Sequence, residues 1–480
     1  MLSTSDLEGR LTKTIVYPAL TVFIALVVRL IPIILAWPYP TGFDTTAYYL
    51  PRMIIGIPSL SVIFYLAQLH QWILSSTYRV FPNPFLILNV VAMILQASLS
   101  LSFYAYAKKV LELSEKLSFV ASTIGIFNLL TLRLTWDQYR ISLGLIFGIL
   151  ALVALFSKSI RVRYVALPLI ILVVLSNQLP AAILIFTLLI HFIWKRNWSW
   201  ESAPELLAII VGLFLFIIQQ LPASNNGLTT SVPITIAPGL PGSIVAFTGV
   251  GFLLYTSWPL LLFLPFTKIR NEFHHLWLLA VFLFAFLFPL AGILILVLPS
   301  SFTYFLLIFP LVMAFGLAFD HREKKFVRRL VIITMVFSII ISVSYLVTSP
   351  LAPSPYSLVG GVFAQDMPLG YLQSTVPISQ EDQLMNLLGM AMISIPPNST
   401  LFLGAQFYGL SYMFANPNRI NISNLGIVSS SNNSLIAISS VKGSYTIWWT
   451  TPQGWYGISS LPSDFHIWLK DGEFSIYSIT

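Results

Sequence analysis

Residues 57–78 read IPSLSVIFYLAQLHQWILSSTY. As a helix this stretch is long and apolar enough to cross a bilayer, which takes about 20 such residues. If it crossed, every later loop would change sides, and Lys108, Lys109 and Lys116 would face the exterior. Short basic loops belong on the cytoplasmic side. Gln68, His70 and Gln71 also sit in its middle, and Pro58 and the Pro82/Pro84 pair bracket it. The segment therefore reads as an interfacial or re-entrant helix on the outer side, within a first external loop at 38–83. The other reading is a twelfth span that inverts the first third of the chain.

Working outward, apolar runs predict about 11 transmembrane helices, near 14–36, 84–107, 117–132, 141–157, 164–177, 180–194, 206–221, 243–266, 276–297, 302–319 and 330–347. Between them lie basic patches: Arg10/Lys13, Lys108/Lys109/Lys116, Lys158/Arg161/Arg163, Lys195/Arg196, Lys268/Arg270 and Arg322 to Arg329. With these spans every patch falls on one side, which the charge rule makes cytoplasmic. The expected topology is a multi-pass cell-membrane protein with a cytoplasmic N-terminus and an extracellular C-terminal part. The polar, acid-containing start MLSTSDLEGRLTKT does not read as a signal peptide.

Composition agrees. Of the 480 residues 57% are hydrophobic and 9% charged, against about 25% charged in a soluble domain. The absence of cysteine removes disulfide frameworks, zinc–cysteine sites, iron–sulfur clusters and thiol nucleophiles. The net charge of +8 lies along the inner-face patches, so it gives no reason to expect a nucleic-acid partner. No GxxxxGK[ST], GxGxxG, HExxH or GxSxG motif occurs. The His274/His275 pair, beside basic residues, reads as a solvated loop pair.

The chain divides into a transmembrane domain, 1–350, and an extracytoplasmic domain, 351–480. From about residue 352 the sequence turns to Ser, Asn, Gly and Pro. Short strand-like runs (TLFLGAQ, SLIAISS, SYTIWWTT, FHIWLK, EFSIYSI) then alternate with turn signals, predicting a small β-rich or α+β domain. Sequons at Asn398, Asn421 and Asn432 are candidate glycosylation sites there.

Chemistry must come from few residues. With the cytoplasmic and tail acids set aside, Asp44 and Asp137 remain, in WPYPTGFDTTAYYLPR and RLTWDQYR at the outer boundary. Arg29, Arg52, Arg79, Arg133 and Arg140 are the bases on that side. Ionisable groups at a membrane are costly unless partnered, so they mark candidate function. The alternative for Asp137 is a loop-stabilising pair with Arg133 or Arg140. The alternative for the tyrosines is an interfacial aromatic belt.

The order of these features resembles the GT-C superfamily of polytopic glycosyltransferases that use polyprenyl-phosphate-linked sugars. The resemblance rests on GFDTTAYYLPRM, the helix at 57–78, the segment WDQYRISLGLIFGILALVALF (similar to archaeal and bacterial members), LSNQLPAAILIF and the tail run IPPNSTLFLGAQFYGLSYMF. It implies a GT-C-like helical fold that transfers a sugar from a polyprenyl (dolichyl) phosphate donor to an external glycan, lipid or protein acceptor, with membrane lipids as partners. On that reading Asp44 is the catalytic base, or a ligand if a divalent cation (Mg or Mn) binds. Arg52 and Arg140 hold the phosphate, with Asp137, Tyr48, Tyr49, Tyr139, His70 and Gln71 as further binding residues. The sequence departs from the family in one respect: Thr45 and Thr46 follow Asp44 where many members carry a second acid. Competing readings are a lipid-linked-sugar flippase or transporter, and a non-catalytic membrane subunit of an external assembly.

Overall fold

The computed structural model describes residues 4–42, 44–195, 200–220, 254, 257–267, 272–290, 300–320, 324–348, 378–424, 443–449 and 464–479. The run SLIAISS, Asn432 and most of the expected span at 243–266 lie outside them. The first helices are α1 (Thr4–Ala36), α2 (Leu50–Ile55), α3 (Leu60–Leu66), α4 (Leu69–Val80), α5 (Pro84–Lys109), α6 (Glu115–Ile126), α7 (Leu129–Asp137) and α8 (Tyr139–Leu155). There follow α9 (Ile160–Arg163), α10 (Ala166–Ser176), α11 (Gln178–Lys195), α12 (Ala203–Gln220), α13 (Glu272–Phe282), α14 (Ile308–Phe319) and α15 (Lys325–Thr348).

Five of the described helices are long and apolar enough to cross a bilayer: Ile15–Ala36, Pro84–Lys109, Gln178–Lys195, Trp200–Gln219 and Lys325–Leu346. The chain is thus a multi-pass helical membrane protein. The eleven crossings expected from hydropathy are not reached among the described residues. α6 and α7 form one span only if a 65° bend is allowed, and α8, Ser257–Phe266, Glu272–Leu287 and Thr303–Phe319 are shorter apolar helices. Hydropathy reads composition and cannot register a break such as that at Phe127–Asn128, where the Asn128 side chain accepts from the Leu130 amide at 2.9 Å.

The 57–78 stretch is not one helix. α3 ends where Ala67 turns left-handed at φ 51°, and α4 starts afresh after Gln68. Neither piece approaches spanning length. The exit of α1 and the entry of α5 lie together, with Tyr39 packed on Phe85 at 5.6 Å between ring centroids. The segment therefore leaves and returns at the same end of the helical body.

That body has two chemically distinct ends. α5 starts on an Asn83 cap, whose side chain accepts from the Leu86 amide, with Pro84 in the first turn where a missing N–H costs nothing. It closes on Lys108 and Lys109, cations suited to a helix C-terminus. Its 26 residues span about 39 Å at the α-helical rise of about 1.5 Å per residue. At the far end Lys108 pairs with Glu115 at 3.0 Å, and Lys158 with Glu112 at 3.1 Å. Arg163 donates to the Glu201 carbonyl there, and His191 meets Glu205 at 3.1 Å. α15 begins at this end and finishes at the other, where Tyr345 packs on Trp136 at 5.1 Å. His274 corrects one expectation: it is buried against Tyr106 and Phe309, because the first turn of α13 lies inside the helical packing.

Beyond α15 the described tail is α+β. α16 (Ile378–Ser394) precedes β1 (Thr400–Leu403), α17 (Ala405–Ser411), β2 (Asn421–Asn424), β3 (Ser444–Trp449), β4 (His466–Asp471) and β5 (Phe474–Ser478). The strands form one mixed sheet in the order β2-β1-β3-β5-β4. β1 runs parallel to β2 and β3, and β5 runs antiparallel to β3 and β4. Phe407 of α17 meets Phe474 of β5 edge-on at 6.0 Å. Leu384, Leu387, Leu388 and Ala391 of α16 are fully buried.

Candidate functional site

Asp44 is the N-cap of a π-helical turn, Thr45–Tyr49, that runs into α2. π-turns inside helices are rare and gather at functional positions. Every residue of this turn is buried. It is held by four residues at the α7–α8 junction, in the WDQYR run. The Trp136 carbonyl accepts from Thr45 Oγ1 at 3.0 Å. The Gln138 amide donates to Asp44 Oδ2. The Tyr139 ring stacks on Tyr49 at 4.6 Å. The Arg140 backbone N–H donates to the Tyr49 hydroxyl at 3.3 Å.

Two guanidinium groups converge on Tyr48. Arg140 donates from one terminal nitrogen to the Tyr48 hydroxyl at 2.8 Å and from the other to the Leu66 carbonyl at 3.0 Å. Arg52 lies over the Tyr48 ring with its guanidinium carbon 3.9 Å from the centroid. Neither arginine forms an ion pair with a carboxylate of a described side chain. Burial lowers the Arg52 pKa first of all, while Tyr48 opposes the shift and Arg140 adds to it. Two like charges are therefore kept together in a half-buried place, an arrangement that favours an anion.

His70 lies among the same rings, stacked on Tyr48 at 5.7 Å and edge-on to Tyr49 at 5.2 Å. It is 1% exposed, and neither ring nitrogen has a hydrogen-bond partner among the described residues. Burial pushes its imidazole well below the usual histidine value, and Arg140 and Arg52 push the same way. Burial likewise raises the Tyr49 hydroxyl well above its ordinary value, with Asp44 adding to the effect.

The residues singled out in the sequence thus fall into four groups. Asp44, Arg52, Arg140, Tyr48, Tyr49, Tyr139 and His70 come together around one turn. The tyrosines are not an interfacial belt, since Tyr48, Tyr49 and Tyr139 are all buried and their rings form the packing beneath the arginines. Gln71 has a supporting place: its amide donates to the Arg52 carbonyl at 3.2 Å and the Gly56 carbonyl at 3.1 Å. Asp137 ends α7 at the same junction, and its side chain lies outside the described residues. In the tail, Asn398 is exposed in a left-handed turn and Asn421 is exposed on the edge strand β2.

Sequence reasoning missed two contributors. Gln138 reaches Asp44 across 94 residues. Gly409 of α17 sits so close to the turn that a Cβ there would overlap the Thr46 carbonyl oxygen and stand 3.0 Å from Ala47 Cα. The tail also reaches the first loop through Tyr39, whose hydroxyl donates to Asp382 Oδ1 at 2.5 Å.

A divalent cation does not fit the described donor set. No three His, Asp or Glu side chains converge among the described residues. The turn offers one carboxylate, with its Oδ2 taken by an amide, among tyrosines and guanidinium groups.

No protein-family model and no curated protein matches the chain. Among solved structures it is similar to ArnT from Cupriavidus metallidurans in the apo state, with 12% identity, 96% of this chain and 97% of that chain covered, and a TM-score of 0.49.

Proposed function

We propose that the chain is a membrane glycosyltransferase of the GT-C type, which moves a sugar from a polyprenyl-phosphate carrier to an acceptor on the external face. The observation that carries this reading is the Arg52/Arg140 pair on Tyr48, two guanidinium groups without a described carboxylate partner, on the turn that Asp44 opens. Arginine suits a phosphate because its planar fork can donate two parallel bonds.

The chemistry needs little more. The bond between the anomeric carbon and the phosphate oxygen breaks, and the carrier leaves as a phosphate. The acceptor oxygen forms the new bond to that carbon, and its proton passes to Asp44. Arg52 and Arg140 take up the charge that grows on the leaving phosphate, and the buried tyrosines keep the two cations at fixed spacing. A general base in this position contributes about 10²–10⁴-fold to rate.

The test is transfer of a radiolabelled sugar from a polyprenyl phosphate to an external acceptor by the full chain in vesicles. Asp44→Asn should reduce the rate by about 10²–10⁴-fold without loss of expression or change in melting. Wild-type transfer in that variant removes the mechanism.

A further inference from the structure

Amide side chains at helix breaks have a default task. In this fold Asn128, between α6 and α7, accepts from the Leu130 amide at 2.9 Å, and Asn177, between α10 and α11, accepts from the Leu179 amide at 2.8 Å. Each satisfies a backbone donor that the break had freed. Gln138 stands at a third break, between α7 and α8, with φ −115° and ψ 55°. It is the N-cap of α8, yet it makes no side-chain cap bond. Its amide is directed instead at Asp44 Oδ2, and the residue is only 7% exposed.

The orientation is supported on both sides. The Gln138 backbone N–H donates to the Leu134 carbonyl at 2.9 Å, and its carbonyl accepts from the Ser142 amide at 2.9 Å. The residue is thus anchored in α7 and α8 together. Thr45, next to Asp44, is tied to Trp136, two residues before Gln138. The backbones that carry carboxylate and amide are therefore held together by bonds other than the one between the two side chains.

We infer that Gln138 is a positioning residue for Asp44: its amide N–H holds one carboxylate oxygen, and so sets the plane in which Asp44 faces an acceptor. This rests on the reading above for its chemical purpose, but the contact itself can be tested without any sugar donor. A hydrogen bond to a charged group is strong, and a partly buried carboxylate such as Asp44 that loses one becomes more prone to protonation.

The experiment measures reaction of Asp44 with dicyclohexylcarbodiimide, which attacks protonated carboxyl groups in apolar surroundings. The full chain is held in lipid nanodiscs at neutral pH, and Asp44 modification is quantified by peptide mass spectrometry with the buried Glu381 as internal reference. Gln138→Leu removes the donor, and Gln138→Glu keeps the shape while replacing the donor by an acceptor. Asp44 labelling should rise about tenfold or more in both, with the Glu381 signal unchanged. Gln138→Lys restores a donor and should bring labelling back toward wild type, which a merely structural role at the α7–α8 break would not do.

Labelling within twofold of wild type in Gln138→Glu overturns the inference, even if Gln138→Leu fails to fold. Where transfer is measurable, Gln138→Leu should lower kcat with little change in KM for the donor. A labelling change in a chain that transfers no sugar supports the positioning role and overturns the proposed function.

Discussion

Arg140 serves the site through three of its nitrogens: its backbone N–H reaches Tyr49, one terminal nitrogen Tyr48, and the other the Leu66 carbonyl. Lysine has no fork and cannot serve two fixed acceptors in this way. Arg140→Lys should therefore raise KM for a polyprenyl-phosphate donor by about tenfold, consistent with losing one charge-assisted bond, with kcat less affected. Donor titration of the purified variant checks this, and an unchanged KM would release Arg140 from the phosphate role. His70 makes a second prediction at this scale. Its folded pKa lies well below the ordinary 6.5, so the fold favours neutral imidazole. The associated stability is complete above that ordinary value and is lost as pH falls below it. Melting midpoints should decline between roughly pH 7 and 5, and His70→Phe should flatten that decline. Asp44, Arg52 and Arg140 were legible because ionisable groups at a membrane are few and costly. Gln138 was not, because a neutral amide carries no such signal and its partner lies 94 residues away.

Helix breaks and one close approach decide how the elements meet. Asn177, at the break before α11, takes up a backbone donor that the break frees, accepting from the Leu179 amide. The docking of α17 on the Asp44 turn was not readable, since a glycine in the run AQFYGLS gives no hint of a distant carbonyl. Gly409→Ala should push α17 off the turn, at a cost of about 1–3 kcal/mol typical of overpacking. Faster proteolysis of the tail and lower transfer should appear together, and a tail as resistant as wild type would argue against the contact. α16 carries a related feature, for Glu381 is buried with one oxygen unpartnered among the described residues. Burial raises its pKa well above the carboxylate range, and Asp382 adds to the shift. A group that binds its proton more tightly in the fold stabilises fully below its unfolded value, and that contribution is lost as pH rises through the folded one. Glu381→Gln should therefore melt higher than wild type at neutral pH, and the advantage should vanish toward pH 4, near the ordinary glutamate value. Equal midpoints at neutral pH would mean that Glu381 is solvated.

At the scale of the whole molecule, charge separates two ends. The pairs Lys108–Glu115 and Lys158–Glu112 and the contact of Arg163 with Glu201 mark one end. The Asp44 turn, the two arginines and the docked tail mark the other. Sequence made this arrangement legible through its basic patches, because each cation must be kept out of hydrocarbon whatever the helices do. The number of crossings was less legible, because a 65° bend within an apolar run leaves composition unchanged. We propose from the charge rule that the Asp44 end faces the cell exterior, and that proposal makes a measurable claim. The chain has no cysteine, so a single introduced thiol reports its own position. Lys158 has a side chain 93% exposed at the basic end, and Arg419 is exposed on the tail. Arg419→Cys should react with an impermeant maleimide in intact cells. Lys158→Cys should react only after the cells are permeabilised. Reaction of both in intact cells would break the two-ended arrangement. The reverse pattern would keep the arrangement but place Asp44 on the cytoplasmic face, where the sugar acceptor would then have to be sought.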